Sequence, residues 1–257
     1  MVVVPPANGW RWLQRGFGFF QRAPLAWILV AVSYWMLVSV VGLVPYVGLV
    51  AVMMATPAFA VSFMAMCREL ERGRPLEPKL LFAGFRLRPG ALAALGGAYL
   101  LAIVGILVAS RLFDDGLLMR WMLAGKAVPR DEASAGAMAT AAAAAFVLFV
   151  PVIMAFWFAP VLVAWHGMPA PKALFFSFFA SLRNWRAFLV YGIAAALLAG
   201  VAPGVAFALL AVAARGSQAA GGMMSVVALA VVVVLLPTLY ASFYASYRDV
   251  FADQPAG

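Results

Sequence analysis

Six long apolar stretches alternate with short polar ones along this chain. The pattern predicts membrane-length helices over 24–44, 48–67, 91–110, 137–165, 187–213 and 223–247. About 20 apolar residues rising 1.5 Å each cross a hydrocarbon core of roughly 30 Å. Between the first two, Pro45-Tyr46-Val47-Gly48 leaves room only for a tight turn, so they form a hairpin. The fourth is longer than crossing requires and holds Pro151 and Pro160, which predicts tilt or a kink. Shorter amphipathic segments stand before three of the stretches. In 8–22, Trp10, Leu13, Phe17 and Phe20 share one helical face and Arg11, Gln14, Arg15, Gly18 and Arg22 the other, with Asn8 as N-cap. From Pro78, a short helix carries Leu81, Phe82 and Phe85. In 170–186, Leu174, Phe175, Phe178, Phe179, Leu182 and Trp185 form a stripe opposite Lys172, Ser177, Ser181 and Asn184. Helices with basic and aromatic faces lie in the membrane interface. The polar segment 111–136 contains one more short surface helix, around Leu117, Leu118, Trp121 and Met122.

Two stretches repeat. P-A-F-A-V-S-F-M-A-M-C-R-E (57–69) and P-T-L-Y-A-S-F-Y-A-S-Y-R-D (237–249) agree at Pro57/Pro237, Ser62/Ser242, Phe63/Phe243, Ala65/Ala245 and Arg68/Arg248. A weaker third copy starts at Pro160 and runs to Trp165 and His166. Phe20, Pro24 and Tyr34 likewise align with Phe85, Pro89 and Tyr99. The chain therefore divides into units of about 8–73, 78–168 and 170–252 within one membrane domain. Each unit reads as interfacial helix, span, turn or loop, then span with proline. Units that begin and end on one side are parallel repeats about an axis near the membrane normal. The expected fold class is an all-α polytopic membrane protein: six transmembrane helices in three hairpins, each preceded by an amphipathic interfacial helix, with pseudo-threefold symmetry.

Composition closes off the soluble alternative. Apolar residues make up 67% of the chain and charged residues 11%, and the mean hydropathy is +1.02. Soluble domains sit near 45–50% and about 25%. The run Pro24–Val44 exceeds the roughly 7–15-residue core of a signal peptide and is read as a retained first span.

The net charge of +9 does not point to nucleic acid, because the bases sit between apolar stretches, where orientation signals and lipid contacts lie. Arg11, Arg15, Arg22, Arg68, Arg72, Arg74, Lys79, Arg86, Arg88, Lys172, Arg183, Arg186 and Arg248 fall on one side. Arg111, Arg120, Lys126, Arg130 and Arg215 fall on the other. The excess places both termini in the cytoplasm. Arg11, Arg15, Arg22, Lys172, Arg183 and Arg186 are the candidate contacts to anionic lipid headgroups.

Chemistry is sparse. No Asp, Glu, Lys or Arg falls inside a span away from its ends, which lowers the case for proton relays or charged cargo. One Cys (Cys67) and one His (His166) give neither a disulfide nor a metal cluster, and no hydrolase, metalloprotease or phosphate-loop motif occurs. No catalytic residue, metal or cofactor is expected. His166 reads as a solvated or headgroup-facing residue, and Asp114-Asp115 as a turn before Gly116. Gly192, Ala196, Gly200 and Gly204 recur every fourth residue, the small-residue pattern of close helix packing, with Pro203 as a hinge inside it. Pro57, Pro160 and Pro237 are hinges of the same kind. Thr56, Thr238, Ser62, Ser242 and Tyr240 stand close enough to satisfy the carbonyls those prolines free.

The pattern G-W-x-W-L-x-x-G-F-x-x-F-x-R-x-P-L-A-W (Gly9–Trp27), C-R-x-L-x-R-G-x-P-L (Cys67–Leu76) and L-F-A-G-F (Leu81–Phe85) resembles an uncharacterised family of six-pass inner-membrane proteins of Gram-negative bacteria. The likeness runs nearly end to end. The layout is also similar to the membrane domain found with some glycerophosphodiester phosphodiesterases, whose catalytic domain has no counterpart here. The resemblance implies a multi-pass protein of the bacterial inner membrane and assigns no site residue. The functional expectation is a non-enzymatic envelope or lipid-interacting protein, or a partner subunit. The alternative is a transporter or channel for a neutral or lipidic substrate.

Overall fold

The computed structural model describes residues 1–124, 131–201, 203–205, 208 and 218–251, the side chains of 124, 218–230 and 232 excepted. All regular elements among them are helical. They run α1 (Asn8–Arg22), α2 (Pro24–Gly42), α3 (Val47–Glu71), two 3₁₀ turns (Pro78–Phe82, Gly84–Arg86), α4 (Pro89–Asp114), α5 (Leu117–Ala124), α6 (Glu132–Phe156), α7 (Ala159–His166), α8 (Ala170–Arg183), α9 (Trp185–Ala196) with a π turn (Leu197–Val201), and α10 (Gln218–Val250).

Five stretches are long and apolar enough to cross a membrane: Pro24–Gly42, Val47–Glu71, Pro89–Asp114, Glu132–His166 and Trp185–Val205. The expected span 187–213 lies partly outside the described residues. The span expected over 223–247 falls on α10, whose side chains are described only from 231 onward, apart from 232.

The packing is lopsided along the helices. On α2 only Trp27, Val30 and Ala31 are buried, all near its start. On α4 the first buried residues are Leu92, Leu95 and Gly96, again near the start. On α3 the buried run begins at Pro57 and continues to Cys67. On α10 it begins at Pro237 and Thr238 and continues to Val250. One half of the molecule, the arginine-bearing half, is therefore packed. The other half exposes apolar side chains such as Leu101 (73%) and Phe146 (67%). A surface of that kind is stable only where acyl chains, not water, surround it.

The amphipathic elements lie against the packed half, and two are turned differently from the sequence expectation. In α1 the inward residues are Gly9, Trp12, Leu13, Gly16, Phe19 and Phe20, while Trp10 and Phe17 face out. Asn8 does not cap the helix. Its side-chain amide donates to Asp249 at 2.8 Å, and its carbonyl oxygen accepts from Arg11. In α8 the inward face is the polar one. Ala173, Ser177, Ala180, Ser181 and Asn184 are buried, and Phe175, Phe179, Leu182 and Trp185 are exposed. Between α2 and α3 the expected tight turn is present, with Tyr46 held at φ 59°.

The elements close on one another in a ring. The 3₁₀ turns pack on α3, α8 packs on α6 and α7, and α1 packs on α10, joining the two ends of the chain. Close backbone approach makes two of these contacts. A Cβ on Gly84 would stand 1.9 Å from the Ala58 carbonyl oxygen, and one on Gly16 would stand 2.3 Å from that of Thr238. Ala58 and Thr238 occupy the same place in the two copies of the proline segment.

The fourth long helix is broken, not merely bent. α6 stops at Phe156 and α7 resumes at Ala159. Pro160 has no N–H to give the Phe156 carbonyl. Ser177 of α8 inserts where the Phe158-to-Met154 helical bond would be. It accepts from the Phe158 N–H and donates to the Met154 carbonyl, each at 2.9 Å. Ser181 donates to the same carbonyl at 3.2 Å. A side chain in the i→i−4 ladder is a recognised cause of a sharp kink.

Candidate functional site

Where the packed half meets the splayed half, the helices leave a cavity of about 300 Å³. Pro57 and Pro160 line it, with Tyr34, Tyr99, Tyr240, Phe59, Phe156, Trp157 and Phe243. Tyr34 and Tyr99 each stand ten residues into a span that starts at a proline, Pro24 or Pro89. That is roughly 15 Å of rise, half of a hydrocarbon core. By that rise the cavity lies near the mid-depth of these spans.

Its walls explain themselves locally. Each proline marks the point where a helix becomes buried, and the aromatic residues around it fill the space a bent helix opens. Phe63 stacks on Tyr240 with ring centroids 4.0 Å apart, and Trp157 meets Phe243 edge-on at 4.4 Å. Toward the arginine end the fully buried Phe63, Tyr244, Phe158 and Met66 close the packed half. The polar side-chain groups of the lining residues are the Tyr34, Tyr99, Tyr240 and Thr56 hydroxyls and the Trp157 indole N–H, which donates to Ser246. No carboxylate, amine, guanidinium or imidazole is among the lining residues. Such a cavity holds an apolar chain or ring and offers a hydroxyl to a neutral polar group. It has nothing to balance an ionised one.

The proposed hinge residues separate into two groups. Pro57, Pro160 and Pro237 are buried at the centre. Their neighbouring hydroxyls do not bond the carbonyls freed by the prolines. Thr56 donates to Val52 and Thr238 to Val234, in each case the carbonyl one residue before or after the freed one. Ser62 and Ser242 do more than expected, because each also bonds another element. Ser62 accepts the Gly84 N–H at 2.9 Å, and Ser242 shares a hydrogen bond with the Tyr191 hydroxyl at 2.8 Å. Gly192, Ala196, Gly200 and Gly204 are exposed, and nothing lies within 4 Å of a Cβ built on any of the three glycines, so the stripe packs against none of the described residues. Pro203 is buried, and the π turn Leu197–Val201 precedes it in the sequence.

The basic candidates lie on the outer faces of α1 and α8 and at the start of α9. Arg11, Arg15, Arg22, Lys172, Arg183 and Arg186 are all exposed. Arg15 pairs with Asp249. The Arg22 guanidinium lies 5.3 Å from the Phe19 ring centre, Lys172 lies 5.9 Å from that of Phe176, and Arg186 lies 5.5 Å from that of Trp185. Arg15 and Arg22 line one cleft at the arginine end, and Lys172, Arg183 and Arg186 are not among its lining residues. Sequence reasoning missed Asp249, which accepts from Asn8, Trp12 and Arg15 and pins α1 to α10. Its place opposite Glu69 in the repeat was the available signal. His166 is half-buried, with its Nε2 2.7 Å from the Tyr247 hydroxyl, and is not simply headgroup-facing. Asp114 accepts the N–H groups of Gly116 and Leu118, the turn expected there. Among the described residues no group of three or more His, Cys, Asp or Glu could hold a metal ion.

An all-helical chain with several membrane-length helices, an apolar outer half and a mid-depth cavity is an integral membrane protein. Over 263 aligned residues the chain is 36% identical to a "Probable inner membrane protein" of Burkholderia thailandensis, spanning 100% of this chain and 96% of the relative. The chain belongs to that family of inner membrane proteins. No family model matches it, and no solved structure does. Nothing in these comparisons extends to the membrane domain of the glycerophosphodiester phosphodiesterases.

Proposed function

We propose that this is a lipid-interacting inner-membrane protein without an enzymatic activity of its own. It crosses the bilayer six times, in three related units, with both termini in the cytoplasm, and its basic interfacial helices engage anionic headgroups. The observation that carries this reading is the inverted face of α8. A water-exposed helix would not bury Ser177, Ser181 and Asn184 while presenting Phe175, Phe179, Leu182 and Trp185 outward. Lys172, Arg183 and Arg186 flank that face. Each base near an anionic surface contributes about 1 kcal/mol.

The threefold organisation is supported by three sets of equivalences. Trp27, Val30 and Ala31 on α2 correspond to Leu92, Leu95 and Gly96 on α4 at one constant offset. Gly84 on Ala58 corresponds to Gly16 on Thr238. Each unit's amphipathic element packs on the proline helix of another unit.

The test is lipid composition in nanodiscs assembled from a mixed extract. Enrichment of phosphatidylglycerol or cardiolipin over the input is expected. Neutralising Arg11, Arg15, Arg22, Lys172, Arg183 and Arg186 together should abolish it. No enrichment around the unaltered protein would overturn the lipid-contact reading.

The mid-depth cavity favours a second reading, as a carrier or receptor for a lipidic, uncharged molecule. The apolar lining supports this over an aqueous channel. A photoactivatable fatty-acyl probe should crosslink to cavity residues such as Ala60 or Met64. Labelling confined to the outer faces of α2, α4 and α6 would count against it.

A further inference from the structure

A second cleft, of about 600 Å³, opens at the arginine end between α1, the end of α3 and the end of α10. It is chemically the opposite of the mid-depth cavity. Arg15, Arg22 and Arg248 line it together with Glu71 and Asp249. Both acids are already engaged. Asp249 accepts from Asn8 and Trp12 on one oxygen and from Arg15 on the other. Glu71 accepts from the Tyr244 hydroxyl at 2.7 Å and from Arg248 at 2.8 Å.

The bases are not used up in the same way. A guanidinium carries five N–H donors. Arg15 and Arg248 each meet their carboxylate through one nitrogen, and their side chains remain 51% and 57% exposed. Arg22 makes no ion pair with the described residues and rests beside the Phe19 ring. The cleft thus holds three bases against two acids, with most guanidinium donors still open. Gly18 forms part of its wall, and nothing lies within 4 Å of a Cβ built there. A ligand can therefore approach the α1 backbone itself.

The level of the cleft completes the picture. Arg22 is the last residue of α1, and the first span begins at Pro24. An anion bound at Arg22 sits at the boundary between headgroups and hydrocarbon. We propose that this cleft is a discrete site for one phosphate ester, built by Arg15, Arg22 and Arg248 and admitted past Gly18. It rests on the reading of the protein as lipid-interacting, and narrows it from a diffuse basic surface to a single stoichiometric site. Forked guanidinium donors match a phosphate's oxygens geometrically, which a scattered positive surface does not.

The experiment titrates the detergent-purified full chain with three probes: dihexanoyl phosphatidylglycerol, dihexanoyl phosphatidylcholine and inorganic phosphate. Saturable binding of about one phosphatidylglycerol per chain is expected, at least tenfold tighter than phosphatidylcholine. Arg22→Gln removes a donor, and Gly18→Leu fills the opening without touching a charge. Each should weaken binding tenfold or more. Lys79→Gln, an exposed base of the arginine side that does not line the cleft, should stay within twofold. Phosphatidylglycerol binding with weak inorganic phosphate assigns the site to a lipid headgroup. Inorganic phosphate binding as tightly, and lost in the same two variants, assigns it to a soluble phosphate. No saturable binding, or binding that Arg22→Gln and Gly18→Leu leave unchanged, overturns the proposal. Anionic enrichment in nanodiscs that persists in that last case would leave the broader lipid reading standing.

Discussion

Gly16 and Gly18 sit two residues apart on α1, on opposite faces of the helix, and differ in consequence. A methyl group on Gly16 would meet the Thr238 carbonyl at 2.3 Å and Ser242 at 3.0 Å, whereas one on Gly18 would meet nothing. Gly16→Ala forces α1 off α10, and overpacking of this kind costs about 1–3 kcal/mol. Gly18→Ala removes a helix-interior glycine without new contact and gains up to about 1 kcal/mol. Thermal unfolding of the two purified variants should shift in opposite directions. The same logic makes Gly84 as intolerant as Gly16, because its neighbour is the Ala58 carbonyl at 1.9 Å. Serines are the other decisive residues. Ser62 and Ser242 each bond one carbonyl in their own helix and one group from another element. One hydroxyl can thus hold two elements at a fixed height.

At the level of elements, Ser177 is the test case. Ser177→Ala leaves the Phe158 N–H without its acceptor and removes a donor from Met154. The expected loss is about 1–2 kcal/mol. Hydrogen exchange at the Phe158 amide should speed up markedly, while the amides of Val161–Val163 change little. Unchanged exchange would show that Pro160 alone makes the break. This element also shows what the sequence could and could not supply. Helix positions were legible because length and hydropathy are local properties. The inward faces of α1 and α8 were not. In a bilayer an apolar stripe is stable against lipid as well as against protein, so hydrophobicity does not say which way it points. The gap at Trp157–Phe158 was hidden for another reason: its partner, Ser177, arrives from a different element. The mid-depth cavity was legible only as two prolines, Pro57 and Pro160, since its aromatic walls are gathered from five helices.

For the whole molecule, topology is the quantity to measure. Cys67 is the one cysteine and is fully buried, so Cys67→Ser leaves a background suited to single-cysteine labelling. With both termini in the cytoplasm, as proposed from the arginine excess, Glu77 would be cytoplasmic and Asp131 outside. Both residues are exposed. A membrane-impermeant maleimide should label Asp131→Cys in intact spheroplasts and Glu77→Cys only after lysis. The reverse result would invert the protein, and with it the leaflet to which Arg22 belongs.

The contact of α1 with α10 has a bearing on biosynthesis. Trp12 and Arg15 emerge from the ribosome 237 and 234 residues before their anchor, Asp249. Through most of translation α1 has no seat, and the nascent spans wait in the translocon's surroundings with one seam open. Closure of this seam therefore waits for α10, which α1 then clasps.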